Sequence, residues 1–389
     1  MTDTFVSTAT TTRTWDLGNM SLEGLFLHLP GRVFVNYNAS ANTSVRVTSD
    51  GLLDSVHAEV VNHSLDSMRI LDGYVVPQRG NHSVLNLTAN SPVKTTGTLL
   101  VHVVVNKPVA VVTSLAETVL GTDTLATKAS KLRLLAYSSG SLQFSTDTDI
   151  DVNELELATF GSGAIDMRAS HISVASRWTI SAYSSGAIGV VAGTAVTPVL
   201  AASSYGSGSI FLEAATVAKE VSSDTYSSGS INYYPSGSCD DSRVQIFGNG
   251  QVNAGSLICT DTTANIISSG NATIQATRTL RATTFAKGSV LYFNHTPTEL
   301  PQQSKLFQSK GPNVHPTNAN TYATWAPLPL PPNAPIVVEI GPRSWSLTAS
   351  SKTNLGGFGE LAIAGLALLL LVAVLVVKRT TGERYQRIK

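Results

Sequence analysis

The sequence predicts an all-β fold: a parallel β-helix solenoid, with an irregular β-rich N-terminal part and one C-terminal transmembrane helix. Three observations predict it. A short phrase recurs eight times between Tyr137 and Val290, the text between copies alternates in the β manner, and an uncharged 17-residue run lies near the C-terminus. A repeat period near twenty residues means a solenoid, in which each repeat is one coil stacked on the last.

Residues 1–14 are Thr-rich and are expected to be a disordered N-terminus. Residues 15–113 read as a β-rich N-terminal part, with strands at Arg32–Val35, Val45–Val47, Met68–Leu71, Val84–Leu87 and Leu99–Val105. The last is nearly all apolar, as expected of a strand buried on both faces. A solenoid end must be covered, so this region caps the helix or supplies its first irregular coils.

Residues 114–296 are the regular coils. The phrase is aromatic-x-x-Gly-small-aliphatic, as in Tyr137-Ser-Ser-Gly140-Ser-Leu142 and Tyr205-Gly-Ser-Gly208-Ser-Ile210. Its glycines, at 140, 163, 186, 208, 229, 250, 270 and 288, are 23, 23, 22, 21, 21, 20 and 18 residues apart. The glycine sits at a corner between strands and is expected to take positive φ. Two residues later an aliphatic recurs (Leu142, Ile165, Ile188, Ile210, Ile231, Val252, Val290), broken only by Ala272. Stacked, these form one inward ladder, and the residues three before each glycine, Tyr or Phe in every copy but Ile267, form a second. Eight coils at ~4.8 Å spacing span roughly 35–40 Å. The repeated residues read as packing and turn residues; an outward aromatic stack is alternatively a sugar-binding face.

Residues 297–354 carry a dense set of prolines, from Pro297 to Pro342, and read as a semi-extended stalk, with Pro327–Pro332 as an alternative polyproline ligand for a partner. Residues 355–377 read as a transmembrane helix. Leu361–Val377 carries no charge, and Lys378-Arg379 follow at once. Residues 378–389 hold five basic side chains and one acidic, a net of +4, so the tail is expected in the cytoplasm and the rest outside, at the plasma membrane. The first ten residues show no basic n-region and no apolar h-region. Either a leader is missing from this start or the chain is tail-anchored. Tail anchoring would carry five positive charges across the bilayer, which favours the missing leader.

Charged residues make up 13% of the chain, 26 basic against 26 acidic, where globular proteins carry about 25%. The surface is therefore Ser, Thr, Asn and Gly, with no basic stripe to suggest nucleic acid. Eight Asn-x-Ser/Thr sequons, at Asn19, Asn38, Asn42, Asn62, Asn81, Asn86, Asn271 and Asn294, are candidate glycosylation sites. Cys239 and Cys259 are one coil apart and are a disulfide candidate, with free thiols as the alternative. Tyr385-Gln-Arg-Ile388 matches the tyrosine-x-x-bulky signal read by clathrin adaptors; the basic tail alternatively binds acidic lipids.

Phe160-Gly-Ser-Gly163-Ala-Ile165, Tyr205-Gly-Ser-Gly208-Ser-Ile210 and Phe247-Gly-Asn-Gly250-Gln-Val252 resemble the repeats of the head GIN domain family, described as a putative auto-transporter adhesin. The likeness spans roughly residues 25–296. Ser138, Ser184 and Ser227 depart from it by replacing the first Gly. The resemblance implies a β-helical fold at the cell surface and brings no catalytic residues.

The reading is a non-enzymatic single-pass surface protein whose ectodomain adheres to or recognises an extracellular glycan, cell-wall material or protein, with no cofactor. The rival is a polysaccharide-active enzyme, which needs an acid/base cluster on adjacent coils. Its candidates are Asp147, Asp149 and Asp151, alternatively an oxygen-ligand metal site, and Asp240-Asp241. A third reading is a structural coat component that self-associates.

Overall fold

The computed structural model of the chain describes residues 10–71, 74–79, 81–301 and 312–341. The expected transmembrane helix at 355–377 and the tail at 378–389, with Tyr385 and Ile388, lie outside the described residues. Among those described, no helix is long and apolar enough to cross a membrane. One 3-10 turn, Leu53–Ser55, is the single helical element described; the strands join in one continuous hydrogen-bonded sheet.

Six long bent strands form the regular coils: Ile165–Ala182, Ile188–Ser204, Ser209–Thr225, Ser230–Ile246, Gln251–Ile266 and Asn271–Thr284. Each pairs in parallel with the next, residue on equivalent residue. Aliphatic residues recur at one position because each must land on its own copy a coil away. The ladder Leu142–Ile165–Ile188–Ile210–Ile231–Val252–Ala272–Val290 runs unbroken and buried, Ala272 keeping its place in it. Burying each large aliphatic contributes about 2 kcal/mol.

The corner glycines are needed for a different reason from the one expected. Among the described glycines only Gly18, Gly31 and Gly51 take positive φ. At the corners the constraint is close approach: a Cβ on Gly163 would lie 1.7 Å from the Gly140 carbonyl oxygen, and one on Gly208 2.1 Å from that of Gly186. Each corner rests on the backbone of the one before it.

The N-terminal part supplies both coils and cap. Arg32–Tyr37 lies in parallel between Thr95–Val105 and Glu117–Leu120, so the inward ladder continues through Thr118 and Val33 to Val101. Ser44–Asp50 then pairs antiparallel with Thr95–Val105, and Thr11–Asp16 pairs antiparallel outside it, which ends the parallel stack. Residues 11–14, part of the N-terminus expected to be disordered, lie in this strand. Thr11, Thr12 and Thr14 suit an exposed edge strand, and Arg13 pins this one, pairing with Asp54 at 2.7 Å and lying over the Trp15 ring.

The Pro-rich segment also departs from the expected stalk, because its described part lies against the solenoid. Glu299 exchanges backbone hydrogen bonds with Arg278 and Leu280 of the last long strand. Val314–Thr317 adds a parallel strand to Ser289–Phe293. Residues 318–335 then run back across the coils, and Ile336–Ile340 pairs antiparallel with Thr95–Leu99 at the other end. Proline has no N–H to give a ladder, so the middle of this strap is held by side chains of the coils beneath it.

Candidate functional site

Two surfaces carry the chemistry of this molecule: the aromatic corner and the face under the strap. At the corner, Tyr137, Phe160, Tyr183, Tyr205, Tyr226 and Phe247 stack ring on ring, with centroids 4.5–5.0 Å apart and planes within 8°. Tyr137 is buried against Leu135 and Ala158; Tyr183, Tyr205 and Tyr226 are exposed. Beside the rings runs an exposed polar row, Ser139, Ser162, Ser185, Ser207, Ser228, Asn249 and Ser269. The corner is therefore an uncharged double row over six coils.

Its geometry decides what it can bind. A sugar ring stacks on the face of an aromatic ring, and here each inner ring face is covered by the next ring. Edges, phenol hydroxyls and the serine row remain, so the corner offers hydrogen bonds and apolar edges instead of stacking platforms. Burial, ahead of all other causes, raises the phenols of Tyr137, Tyr183 and Tyr226 above their ordinary value, so these three stay protonated.

Asp224 lies just behind Tyr226. Its Oδ2 accepts from Ser222 Oγ at 3.3 Å, while its buried Oδ1 has no hydrogen-bond partner among the described residues. Burial raises its carboxyl above the ordinary 3.8, against smaller lowering by Ser222 and Arg243. A folded-state value above the unfolded one means that stability present at low pH is lost as pH rises past 3.8. Asp224→Asn should remove that loss, flattening the thermal midpoint against pH and gaining up to about 1 kcal/mol at neutrality; calorimetry from pH 3 to 8 checks it.

The strap face is a row of unlike residues in an otherwise repetitive body. Positions following the inward ladder read Gln143, Asp166, Gly189, Phe211, Asn232 and Asn253. Asp166 is nearly buried, and its Oδ1 accepts from Trp325 Nε1 at 3.1 Å and its Oδ2 from Leu328 N at 2.9 Å. Arg168 supplies the counter-charge at 3.3 Å. Trp325 lies flat over Gly189, where a Cβ would come within 2.1 Å of the indole, and tilts against Phe211 at 5.4 Å. Tyr234 accepts from Trp325 N at 2.5 Å and stacks on Tyr322 at 4.9 Å. Asn232 Oδ1 accepts from Ala323 N, Gln143 Nε2 donates to Pro329 O, and Arg32 Nη1 donates to Pro332 O and Ala334 O. Sequence reasoning missed all of these. The available signal was aperiodicity: one row of a regular repeat in which the residue type changes at nearly every coil.

The remaining candidates are dispersed. Asp147, Asp149 and Asp151 are exposed, the strand beginning only at Ile150, and make no ion pair among the described residues; Asp240 and Asp241 are exposed too. No three His, Cys, Asp or Glu side chains among the described residues converge to hold a metal. Cys239 and Cys259 are register partners on adjacent coils, with Cα atoms 4.4 Å apart, joined by a disulfide inside the core. Of the sequon asparagines, Asn19, Asn38, Asn42, Asn62, Asn81, Asn271 and Asn294 are exposed. Asn86 is half-buried, its Nδ2 donating to Glu59 Oε1 at 2.8 Å.

Residues 171–296 match the family described as "putative auto-transporter adhesin, head GIN domain". The resemblance carried by the repeats holds over this stretch of regular coils, shorter than the expected 25–296. Among solved structures, a protein described as a putative adhesin from Parabacteroides distasonis ATCC 8503 is 17% identical, the match covering 74% of this chain and 98% of that one at a TM-score of 0.38. A putative adhesin from Parabacteroides merdae ATCC 43184 is 15% identical, covering 75% and 96% at 0.36. A protein described as a putative lipid binding protein, also from P. distasonis, is 14% identical, covering 79% and 97% at 0.35. No curated protein is significantly similar to the chain.

Proposed function

We propose that this chain is a membrane-anchored surface protein of the adhesin type, which recognises an elongated polar ligand, glycan or cell-wall polymer, along its aromatic corner. The observation that carries the reading is the corner itself, an uncharged double row of ring edges and hydroxyls repeating at 4.5–5.0 Å over six coils. A repeating surface suits a repeating partner, engaged by many weak contacts that add along its length. The family match at 171–296 supports the adhesin class.

Full-length protein on a glycan and cell-wall polymer array tests the ligand. Ser185→Glu with Ser207→Glu places charge in the polar row without touching the core, and should lower binding at least tenfold. Tyr205→Phe should leave the stack intact and change binding less. Binding that ignores the glutamates would remove the corner from the reading.

Anchoring rests on the apolar run at 361–377 and its basic flank. Intact cells carrying an epitope at each end should be labelled only at the N-terminal one, with a mobility shift after glycosidase treatment if the exposed sequons are used. Labelling of the N-terminal epitope only after permeabilisation would refute the surface reading. The tail's proposed adaptor signal predicts slower uptake for Tyr385→Ala.

A further inference from the structure

We propose that the strap, residues 313–341, is a force-releasable clasp: tension on the chain beyond Gly341 peels it from the solenoid before any coil opens. The argument begins from how each part is held. Neighbouring coils share long ladders, Ile188–Ser204 and Ser209–Thr225 being matched at 14 positions that carry load together. The strap meets its coils at scattered points, so a pull at Gly341 loads one after another. The first is the short pairing of Ile336–Ile340 with Thr95–Leu99, then the Arg32 bonds to Pro332 and Ala334, then Asp166 with Leu328 and Trp325. Bonds broken in sequence fail at lower force than bonds broken together.

The composition fits release and return. Pro327, Pro329, Pro331, Pro332 and Pro335 keep the freed segment extended, so little conformational entropy separates the released from the docked strap. The Val314–Thr317 pairing with the Ser289–Phe293 strand keeps its origin on the last coil. Freed, the 24 residues from 318 to 341 reach at most roughly 80–85 Å. The use of this reach as a tether that lengthens under adhesive load rests on the anchoring proposed above; the clasp itself does not, and the test is independent of anchoring.

The test is single-molecule pulling on the full-length chain in detergent, between a handle at Lys219→Cys on a coil and one at the C-terminus. The first rupture should release a contour length of about 80–85 Å, below the force of every later step, and re-form on relaxation. Asp166→Asn should lower that first force. Thr96→Cys with Glu339→Cys, at directly opposed positions of the clasp ladder, should abolish the first step when oxidised and restore it on reduction of the exposed bond, leaving the coil steps unchanged. A first rupture that frees coil residues, or one unmoved by both variants, overturns the clasp.

Discussion

Gly163→Ala is expected to cost about 3 kcal/mol or more and to be the most damaging added methyl group among the described glycines. The added carbon would sit 1.7 Å from the Gly140 oxygen and 2.6 Å from its carbonyl carbon, both backbone atoms of the preceding corner. Nothing there can rotate away. Relief requires the two coils to part, which strains the flanking ladders and separates Phe160 from Tyr137. Gly193→Ala is the control. It lies in a long strand on the same body, and its nearest neighbour would be the Ser170 oxygen at 3.0 Å, a contact eased by a small shift. Chemical denaturation of both variants should show a large drop in midpoint for the first and a small one for the second. Similar losses would mean that the corner tolerates separation.

That asymmetry also explains what the sequence made legible. The period, the inward aliphatics and the aromatic row could all be read, because a solenoid repeats its constraints and each constraint leaves a residue type at a fixed position. The reason for the corner glycine was misread. From sequence, positive φ and close approach both demand Gly, and only the distance to the carbonyl below distinguishes them. The Pro-rich segment was misread for a related cause. Proline density signals an extended chain without indicating whether anything lies beneath it. Its docking is written in the coils, at Asp166, Gly189 and Phe211, where the repeat breaks. Such residues look like drift when each coil is compared only with the consensus. Their meaning emerges when they are taken as a row, one that passes under Trp325 and Leu328.

Asp166→Ala should free the strap while sparing the coils. The wild-type carboxylate is nearly buried and accepts from two strap donors, Trp325 Nε1 and Leu328 N, with Arg168 beside it. Removing it strands both donors and leaves the guanidinium without its counter-charge, a cost of about 2–4 kcal/mol borne by docking. Residues 318–335 form no ladder, so what remains to oppose release is a set of scattered contacts from Tyr234, Asn232, Gln143 and Arg32. Hydrogen exchange should therefore rise at the Ala323, Trp325 and Leu328 amides, and Trp325 emission should shift to the red, while the Ile188–Ser204 and Ser209–Thr225 strands keep their protection. Gly189→Leu attacks the same dock from below, displacing the indole by volume instead of by lost hydrogen bonds. If the strap is held as described, two unlike substitutions on neighbouring coils converge on one exchange pattern. Should Asp166→Ala instead loosen coils and strap equally, the strap would be an integral part of the folding unit, and the solenoid's stability would depend on a segment that adds no rung to it between Val314–Thr317 and Ile336–Ile340.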